Sequence, residues 1–304
     1  MKTEWIAVDW GMTQLRAWPL GPNGTVLDAG CSQAGVGTLS PGGFEAAILA
    51  LTESWLAPDR QTNIVACGMV GAQQGWAEAQ YVAIPASPAM AGKLTRAPAK
   101  DHRIAFWIVP GMKQIEPADV MRGEETQIAG FLSMRPDFNG VVCLPGTHTK
   151  WVRLRDGMVV NFQTFMTGEL FALLVTKSVL RHSVAIGGGD EAAFLEMIDI
   201  AAKRPETIAS RFFALRGEAL IHGLGPKTAG SRLSGLLIGA ELAAARHFWL
   251  GGDVTIIGAE ALSNLYAKAL SLLAANPVLL GAEEVTIAGL SAAYEDLQRR
   301  PNET

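Results

Sequence analysis

A short turn near the start of the chain carries residue types that bind phosphate groups. It is Asp9-Trp10-Gly11-Met12-Thr13, between apolar runs at 6–8 and 14–20. Gly11 has no Cβ and lets the backbone approach a ligand closely, while Thr13 offers a hydroxyl and an N–H to a phosphate oxygen. Asp9 would then hold a divalent cation, usually through water. An ordinary β-hairpin whose aspartate caps a turn explains the same residues.

A second turn repeats this plan later in the chain. An apolar run at 141–144 leads into Gly146-Thr147-His148-Thr149, and Lys150-Trp151 opens another strand. Two hairpins of this kind, one opening each half of a chain, are an arrangement that holds the phosphates of a nucleotide. The pair therefore favours a nucleotide-binding protein more strongly than either turn does alone.

Two adjacent carboxylates, Glu124 and Glu125, begin a helix predicted at 123–134. Acidic residues in a first turn favour the positive end of the helix dipole, so simple capping explains them. The helix directly precedes the second turn, which favours a catalytic interpretation. The two side chains project about 100° apart around the helix, so only one of them is expected to face a substrate hydroxyl.

Several longer motifs carry a resemblance to a known family. They are Asp9-Trp10-Gly11, Leu15-Arg16-Ala17-Trp18, Gly68-Met69-Val70-Gly71, Met121-Arg122-Gly123-Glu124-Glu125-Thr126-Gln127, Pro145-Gly146-Thr147-His148, Lys150-Trp151, Met166-Thr167-Gly168-Glu169-Leu170 and Leu233-Ser234-Gly235-Leu236-Leu237-Ile238-Gly239-Ala240-Glu241. In these motifs the sequence resembles the 2-dehydro-3-deoxygalactonokinases of the sugar-kinase, actin and heat-shock ATPase superfamily. The resemblance runs in order from Asp9 to about Gly289. Met12 departs from it, because a Ser or Thr is expected there.

The resemblance implies an α/β fold of two ribonuclease H-like domains, as in actin-like ATPases and sugar kinases, flanking a nucleotide and substrate cleft. The N-terminal domain, at 1–139, would bind the sugar acid and carry the first phosphate hairpin. The C-terminal domain, at 140–304, would bind the nucleotide. A last helix at 290–300 would pack back on the first domain.

The resemblance also implies roles for individual residues. Glu124 would be the catalytic base, since Gly130 follows it at the spacing seen in bacterial glucokinase-like relatives, with Asp9 as the catalytic and metal-binding residue and Glu125 beside them. Residues expected to contact the nucleotide are Gly11, Thr13, Gly146, Thr147, His148, Thr149, Lys150 and Gly258. Residues expected to contact the sugar acid are Arg16, Gly68, Met69, Val70, Gly71, Trp76, Arg122, Gly123 and Glu169. Arg122 could pair with the substrate carboxylate through two parallel hydrogen bonds.

Hydrophobic periodicity places the remaining elements. After the first hairpin, residues 25–29 are expected to form a third strand, and 63–67 a strand parallel to the first. The segment 68–76 is a glycine-rich loop, either structural or a wall of the sugar-acid pocket, and 111–119 is expected to be a polar loop. A strand at 253–258 ends in glycine, and 285–288 is the last predicted strand.

Composition narrows the class of protein. The chain has 304 residues, 49% of them apolar, and a formal net charge of −4, with no run of Lys and Arg that would favour nucleic acid. Three isolated cysteines suit a reducing compartment, and the apolar stretch 233–250 contains Glu241, Arg246 and His247, which argues against a bilayer span. The five histidines lack zinc-ligand spacing. We expect a cytoplasmic protein, whose oligomeric state stays open, a homodimer included.

The leading hypothesis is a kinase of galactonate catabolism that uses ATP and Mg²⁺ to phosphorylate 2-dehydro-3-deoxy-D-galactonate at its 6-position. Phosphoryl transfer needs mainly alignment, charge neutralisation and a base, which these residues could supply. The gluconate epimer or another keto sugar acid is an alternative substrate. A nucleotide-dependent switch ATPase of the same superfamily and a sugar-acid-binding domain without chemistry are two further hypotheses.

Overall fold

The computed structural model describes residues 2–89 and 92–299. Its strands, in chain order, are β1 Trp5–Trp10, β2 Leu15–Leu20, β3 Gly30–Ser32, β4 Thr62–Gly68, β5 Tyr81–Ala83, β6 Thr95–Arg96, β7 Ile104–Ile108, β8 Gly111–Gln114, β9 Asp119–Met121, β10 Gly140–Leu144, β11 Thr149–Arg155, β12 Met158–Phe165, β13 Val254–Gly258 and β14 Val278–Gly281. Its α-helices are α1 Phe44–Thr52, α2 Glu124–Met134, α3 Thr167–Lys177, α4 Glu191–Lys203, α5 Ile208–Ile221, α6 Pro226–Ala244, α7 Arg246–Trp249, α8 Glu260–Leu272 and α9 Ala282–Arg299.

The described residues form two compact units. The first unit comprises the residues up to Phe138, Arg155–Asn161 and the residues from Ala282 onward. The second unit comprises Asn139–Leu154 and Phe162–Gly281. Each unit is built around a sheet of its own.

The main sheet of the first unit has the strand order β3-β2-β1-β4-β7-β6. β1 pairs antiparallel with β2 and parallel with β4, so the predicted parallel strand at 63–67 is confirmed. Side chains of β1 alternate between the two faces of the sheet. Ile6, Val8 and Trp10 pack in a cluster with residues of α1, while Trp5 and Ala7 pack in a cluster with residues of α9. Burial on both faces fixes β1 and therefore the position of Asp9 near its end.

The sheet of the second unit has the strand order β12-β11-β10-β13-β14. This matches the order of five strands in the main sheet of the first unit, β3-β2-β1-β4-β7, with three successive strands followed by one reached through helices. The fifth strand differs in its connection, because β14 follows α8 whereas β7 follows the short strands β5 and β6. The first strand pairs parallel with the fourth in both sheets, β1 with β4 and β10 with β13. The expected α/β fold of two ribonuclease H-like sheets is confirmed.

The predicted third strand at 25–29 is wrong, because the strand lies at Gly30–Ser32 and pairs with residues 15–17 of β2. Pro19 has no N–H to donate and interrupts the ladder opposite residues 25–29. Only a single bridge, between Leu20 and Val26, forms there. Gly30 starts the strand where a Cβ would come within 2.9 Å of the Trp55 ring.

The predicted polar loop at 111–119 is also wrong. β8 and β9 pair antiparallel there and join β5 in a small three-stranded sheet. Met112 and Met121, which face each other across this pair, are almost completely buried. Local polarity suggested a loop, but the burial of these methionines stabilises a hairpin.

The predicted last strand at 285–288 is wrong because these residues are helical and belong to α9. The last strand is β14, which precedes them. Val285 is buried and lies against α2, so tertiary packing outweighs the strand preference of a β-branched residue. The predicted helix at 290–300 lies within α9 up to Arg299, and Arg300 lies outside the described residues.

Candidate active site

The first phosphate turn of the sequence begins where β1 ends. Asp9 lies opposite Arg16 in the β1–β2 register, and the two side chains form an ion pair. The Asp9 side chain is 16% exposed. Burial raises the pKa of Asp9, whereas the adjacent Arg16 guanidinium lowers it. Cys67 on the neighbouring strand β4 lies beside it, with Sγ 3.9 Å from Asp9 Oδ1.

Backbone hydrogen bonds hold this turn in place. Gly11 donates to the carbonyl of Gln14 at 2.9 Å, and the carbonyls of Gly11 and Met12 accept from residues 36 and 37 at 3.0 and 2.9 Å. Gly35 allows this close packing, because a Cβ there would lie 2.3 Å from the Met12 oxygen. Thr13 is exposed, so its hydroxyl is accessible to a phosphate oxygen.

Two glycines bring the end of β4 close to the start of α2. Gly68 has a φ of +91° and Gly123 a φ of +110°, both in the region that favours glycine. A Cβ on Gly123 would lie 3.4 Å from the Cα of Gly68. A Cβ on Gly68 would lie 2.7 Å from the Trp10 oxygen and 3.4 Å from Asp9 Oδ1. The site therefore requires glycine at both positions.

The two carboxylates at the start of α2 have different environments. Glu125 is fully buried, and both of its oxygens accept from the backbone N–H of Gly123, at 2.8 and 2.7 Å. Burial, with the nearby charge of Glu124, raises the pKa of Glu125 to about 8. Glu124 is partly exposed and accepts from the backbone N–H of Arg122 at 3.1 Å. Its charge reaches Asp9, where it adds to the rise in pKa that burial causes.

Helix α9 holds α2 in position. The two helices touch at glycines: a Cβ on Gly130 would lie 1.8 Å from the Val285 oxygen, and a Cβ on Gly289 would lie 1.9 Å from the Thr126 oxygen. Gly130 is the residue whose spacing from Glu124 led to the choice of Glu124 as the predicted base. Its role in this structure is to let the two helix backbones meet.

The segment expected to line the sugar-acid pocket has a mixed character. Val70 is fully buried in the core of the first unit, and the Trp76 ring stacks on Phe44 and tilts against Phe106, so both side chains have packing roles. Met69 is partly buried. Gly71 packs tightly, since a Cβ there would lie 2.7 Å from Ile108 and 2.9 Å from Nη1 of Arg122.

Arg122 is buried beside this segment. Its Nη2 donates to the Ala79 carbonyl at 2.7 Å, and its guanidinium lies 4.2 Å from the centre of the Tyr81 ring. Nη1 is buried and has no hydrogen-bond partner in the described part of the chain. Arg122 thus ties the loop to the start of α2 and keeps one donor unused.

The second phosphate turn lies in the second unit, between β10 and β11. Thr147 and His148 are exposed, and Nε2 of His148 lies 2.5 Å from a carboxylate oxygen of Glu169. Lys150 is mostly buried and donates to the His148 carbonyl at 3.2 Å. Thr149 is fully buried and its hydroxyl lies 3.0 Å from that of Tyr266, so its side chain does not face solvent.

The start of α3 packs directly on this turn. The N–H of Glu169 donates to the Thr147 carbonyl at 3.0 Å. A Cβ on Gly168 would lie 2.4 Å from the Gly146 oxygen. At the end of β13, a Cβ on Gly258 would lie 3.0 Å from Ser263 Oγ and 3.4 Å from Pro145. The turn is therefore packed between two neighbouring segments.

A cavity of about 540 Å³ opens beside the turn, within the second unit. Its volume is typical of small-molecule sites. Gly146 and Gly168 line it on the side of the turn, and Leu262 and Leu265 of α8 provide apolar surface. Other lining residues come from the glycine-rich segment before α4 and from α6, and include Gly187, Gly188, Gly189, Ser231 and Ser234. The sequence indicated the turn and Gly258 but not this pocket.

A buried carboxylate that the sequence interpretation left without a role lies below the turn. Glu241 of α6 is 3% exposed and accepts from Trp151 Nε1 at 2.8 Å, from the Tyr266 hydroxyl at 2.7 Å and from the Thr167 hydroxyl. Burial raises the pKa of Glu241 to about 7, against the effect of these hydrogen bonds. In the sequence, a single acidic residue within an apolar helical stretch could have indicated a buried carboxylate at Glu241.

The described residues were compared with the requirements of a metal site and of a membrane-spanning helix, and they meet neither. They contain no group of three or more His, Cys, Asp or Glu side chains placed to hold a metal ion. No helix among them is long and apolar enough to cross a membrane.

Comparison with known proteins gives a consistent result. A family model described as 2-keto-3-deoxy-galactonokinase matches residues 9–293. A protein from Rhizobium meliloti (strain 1021) named as a probable 2-dehydro-3-deoxygalactonokinase is 39% identical over 95% of this chain and 96% of its own. The 2-dehydro-3-deoxygalactonokinase of Escherichia coli (strain K12) is 32% identical over 95% of this chain and 97% of its own.

A solved structure agrees with this similarity. It is a crystal structure from Sinorhizobium meliloti of a protein provisionally assigned as a 2-dehydro-3-deoxygalactonokinase. The match has a TM-score of 0.90 and 37% identity, and it covers 98% of each chain.

Proposed function

We propose, because this chain belongs to the 2-keto-3-deoxy-galactonokinase family, that it transfers the γ-phosphoryl group of ATP to the 6-hydroxyl of 2-dehydro-3-deoxy-D-galactonate. The enzyme is a sugar-acid kinase that would act in galactonate catabolism in the cytoplasm. The observation that carries the proposal is the partly exposed Glu124, whose charge acts on Asp9, at the start of a helix held by glycine contacts.

Glu124 is the proposed general base. Its position in the first turn of α2 lets the helix dipole stabilise the carboxylate, and packing on α9 holds that helix rigidly. When the γ-phosphorus–oxygen bond to ADP breaks and a bond to the substrate O6 forms, Glu124 accepts the proton from that hydroxyl. General base catalysis of this kind typically contributes about 10²- to 10⁴-fold to the rate.

Glu125 has a supporting role in this proposal. Its buried carboxyl caps the start of α2 through Gly123, which leaves Glu124 as the carboxylate of the pair that can meet a substrate. The same cap holds Gly123 against Gly68. Loss of Glu125 should therefore act on stability and on the placement of Glu124.

The second unit supplies the nucleotide site in this proposal. The nucleoside would bind in the cavity beside the turn, and the backbone of the turn and Thr147 would contact the phosphates. Thr13 of the first turn stays a predicted phosphate contact, because its side chain is exposed. Thr149 would stabilise the turn from the protein interior, where its hydroxyl contacts that of Tyr266.

Asp9 fits a role in holding Mg²⁺. Mg²⁺ with a nucleotide is usually bound by one or two carboxylates, water and phosphate oxygens, so a single aspartate is sufficient. When bound, the ion would neutralise charge on the transferring phosphoryl group. Arg16 keeps the Asp9 side chain oriented through their ion pair.

The carboxylate of the sugar acid is assigned to Arg122 in this proposal. Its unpartnered Nη1 supports the assignment, since buried donors are nearly always paired in a working site. Arg16, which is 38% exposed and pairs with Asp9, would be a further substrate contact. The galactonate and gluconate epimers differ in the orientation of one hydroxyl.

A phosphorylation screen tests the proposal. The protein is assayed with ATP against 2-dehydro-3-deoxygalactonate, its gluconate epimer and related keto sugar acids, with ADP release and sugar phosphate measured separately. The galactonate compound should give the highest kcat/KM. A higher kcat/KM for the gluconate epimer would make that epimer the substrate. ADP release without sugar phosphate would favour a switch ATPase.

A further inference from the structure

The buried carboxylate of Glu241 connects elements that are far apart in the chain. Its three donors come from different elements: Trp151 from β11, Thr167 from the start of α3 and Tyr266 from α8. Burying a carboxylate is unfavourable unless hydrogen bonds compensate for lost water, and three donors do so here. Because burying a carboxylate costs free energy, we expect Glu241 to have a specific role.

The direction of each hydrogen bond in this cluster follows from the chemistry of its members. The Tyr266 hydroxyl has one proton, which it donates to Glu241 at 2.7 Å. The Thr149 hydroxyl, 3.0 Å from the Tyr266 oxygen, must then be the donor in that contact. Every proton in this chain of contacts therefore points toward Glu241.

Both segments that form the phosphate side of the cavity are attached to this cluster. Thr149 closes the turn as the first residue of β11, and Thr167 is the first residue of α3. The turn and α3 also touch directly, through the Glu169 N–H and the Thr147 carbonyl. One carboxylate thus holds the turn and the helix that packs on it.

We infer that Glu241 is a positioning residue for nucleotide binding, which acts through Tyr266 and Thr149 to hold the turn formed by residues 146–149. Through Thr167 it holds the start of α3 against the same turn. It does not contact the nucleotide. The inference rests on the proposed function, because it takes this turn as the phosphate site.

The cleanest test changes Thr149. Thr149→Val keeps the shape of the side chain and removes the hydroxyl that links the turn to Tyr266, and Thr149 does not line the cavity. Loss of this link should raise the Kd of a non-hydrolysable ATP analogue about tenfold, the upper range for one hydrogen bond. Thr149→Ser keeps the hydroxyl and should restore the affinity. The KM for the sugar acid should change less than about twofold.

A matched control separates positioning from a general loss of stability. Trp249→Phe removes another buried hydrogen bond of the second unit, from the indole to the Leu242 carbonyl at 2.9 Å, and leaves the hydrogen bonds among Glu241, Tyr266 and Thr149 in place. It should lower Tm by a similar amount and leave the Kd of the analogue unchanged. Glu241→Gln can accept fewer hydrogen bonds and should show the same selective rise in Kd as Thr149→Val.

The outcomes distinguish the inference from the proposed function. Normal analogue binding by the wild type with an unchanged Kd in Thr149→Val would overturn the inference alone. An equal rise in Kd for Trp249→Phe would also overturn it, because the effect would then follow stability. Failure of the wild type to bind the analogue would overturn both.

Discussion

The backbone N–H of Gly123 donates to both carboxylate oxygens of Glu125, at 2.8 and 2.7 Å. This contact folds the Glu125 side chain back onto the start of its own helix and buries it completely. Glu124, one residue earlier, stays partly exposed, and its charge acts on Asp9. Two adjacent carboxylates of the same type therefore have separate tasks, one in the fold and one in the proposed chemistry.

Glu125 should make stability depend on pH. Burial raises its pKa from 4.5 to about 8, so between these values the folded protein holds a proton that the unfolded chain has released. The contribution of Glu125 to stability is therefore complete below pH 4.5 and is lost as the pH rises through about 8. Glu125→Gln cannot ionise, and its free energy of unfolding should fall less between about pH 5 and 9. Urea denaturation at several pH values across this range measures the free energy of unfolding. If this free energy depended on pH in the same way in wild type and variant, the raised pKa of Glu125 would be refuted.

Asp9→Asn should fold normally and bind the sugar acid but lose turnover. The amide keeps the shape of the side chain and removes the charge that would hold Mg²⁺, which commonly costs about 10²-fold or more in rate. Asp101→Asn is the matched control, because Asp101 also pairs with an arginine of the first unit, Arg103. Turnover at increasing Mg²⁺ concentration is the measurement. If Asp9→Asn kept nearly full activity, Asp9 would have only a structural role in the turn.

Gly168→Ala should weaken ATP binding selectively. The new Cβ would lie 2.4 Å from the Gly146 oxygen and displace the phosphate turn. A displacement that costs roughly 1.4 kcal/mol raises the KM for ATP about tenfold. Gly217→Ala is the control, since its Cβ meets nothing within 4 Å and an alanine there should stabilise α5 by about 0.5–1 kcal/mol. Equal KM values for the two variants would contradict the packing argument.

Filling the cavity should interfere with the nucleoside. Ser234 lines the cavity and is half-buried, so Ser234→Phe would place a ring where the nucleoside is proposed to bind. The KM for ATP should rise about tenfold or more, because overpacking costs about 1–3 kcal/mol. Ser210→Phe makes the same change at an exposed position of α5. If Ser234→Phe kept the wild-type KM, the nucleoside would bind elsewhere.

Local patterns were sufficient for much of the fold. Apolar runs gave the central strands, and the positions of Asp9 and Glu124 followed from strand and helix ends. Burial decided the exceptions: the methionines of β8 and β9 outweighed polar neighbours, and the contact of Val285 with α2 outweighed its strand preference.

The hydrogen-bond cluster around Glu241 could not be read from local patterns. Tyr266 lies 25 residues from Glu241 and 117 residues from Thr149, so only the folded chain brings these groups together. The direction of the Thr149 side chain could not be read from local patterns either. It was expected to contact phosphate, but its hydroxyl is buried against Tyr266. Sequence shows which groups can form hydrogen bonds, whereas the packing of helices and strands decides which of them meet.

The central claim is that Glu124 serves as base in the phosphorylation of a keto sugar acid by ATP. The direct measurement is phosphorus-31 NMR of a reaction with ATP and 2-dehydro-3-deoxygalactonate, for wild type, Glu124→Gln and Glu125→Gln, with ATP affinity measured in parallel. The wild type should form sugar 6-phosphate and ADP in equal amounts, and Glu124→Gln should form it about 10²-fold or more slowly with ATP affinity retained. ADP with free inorganic phosphate from the wild type, or a larger loss of turnover in Glu125→Gln than in Glu124→Gln, would contradict the account.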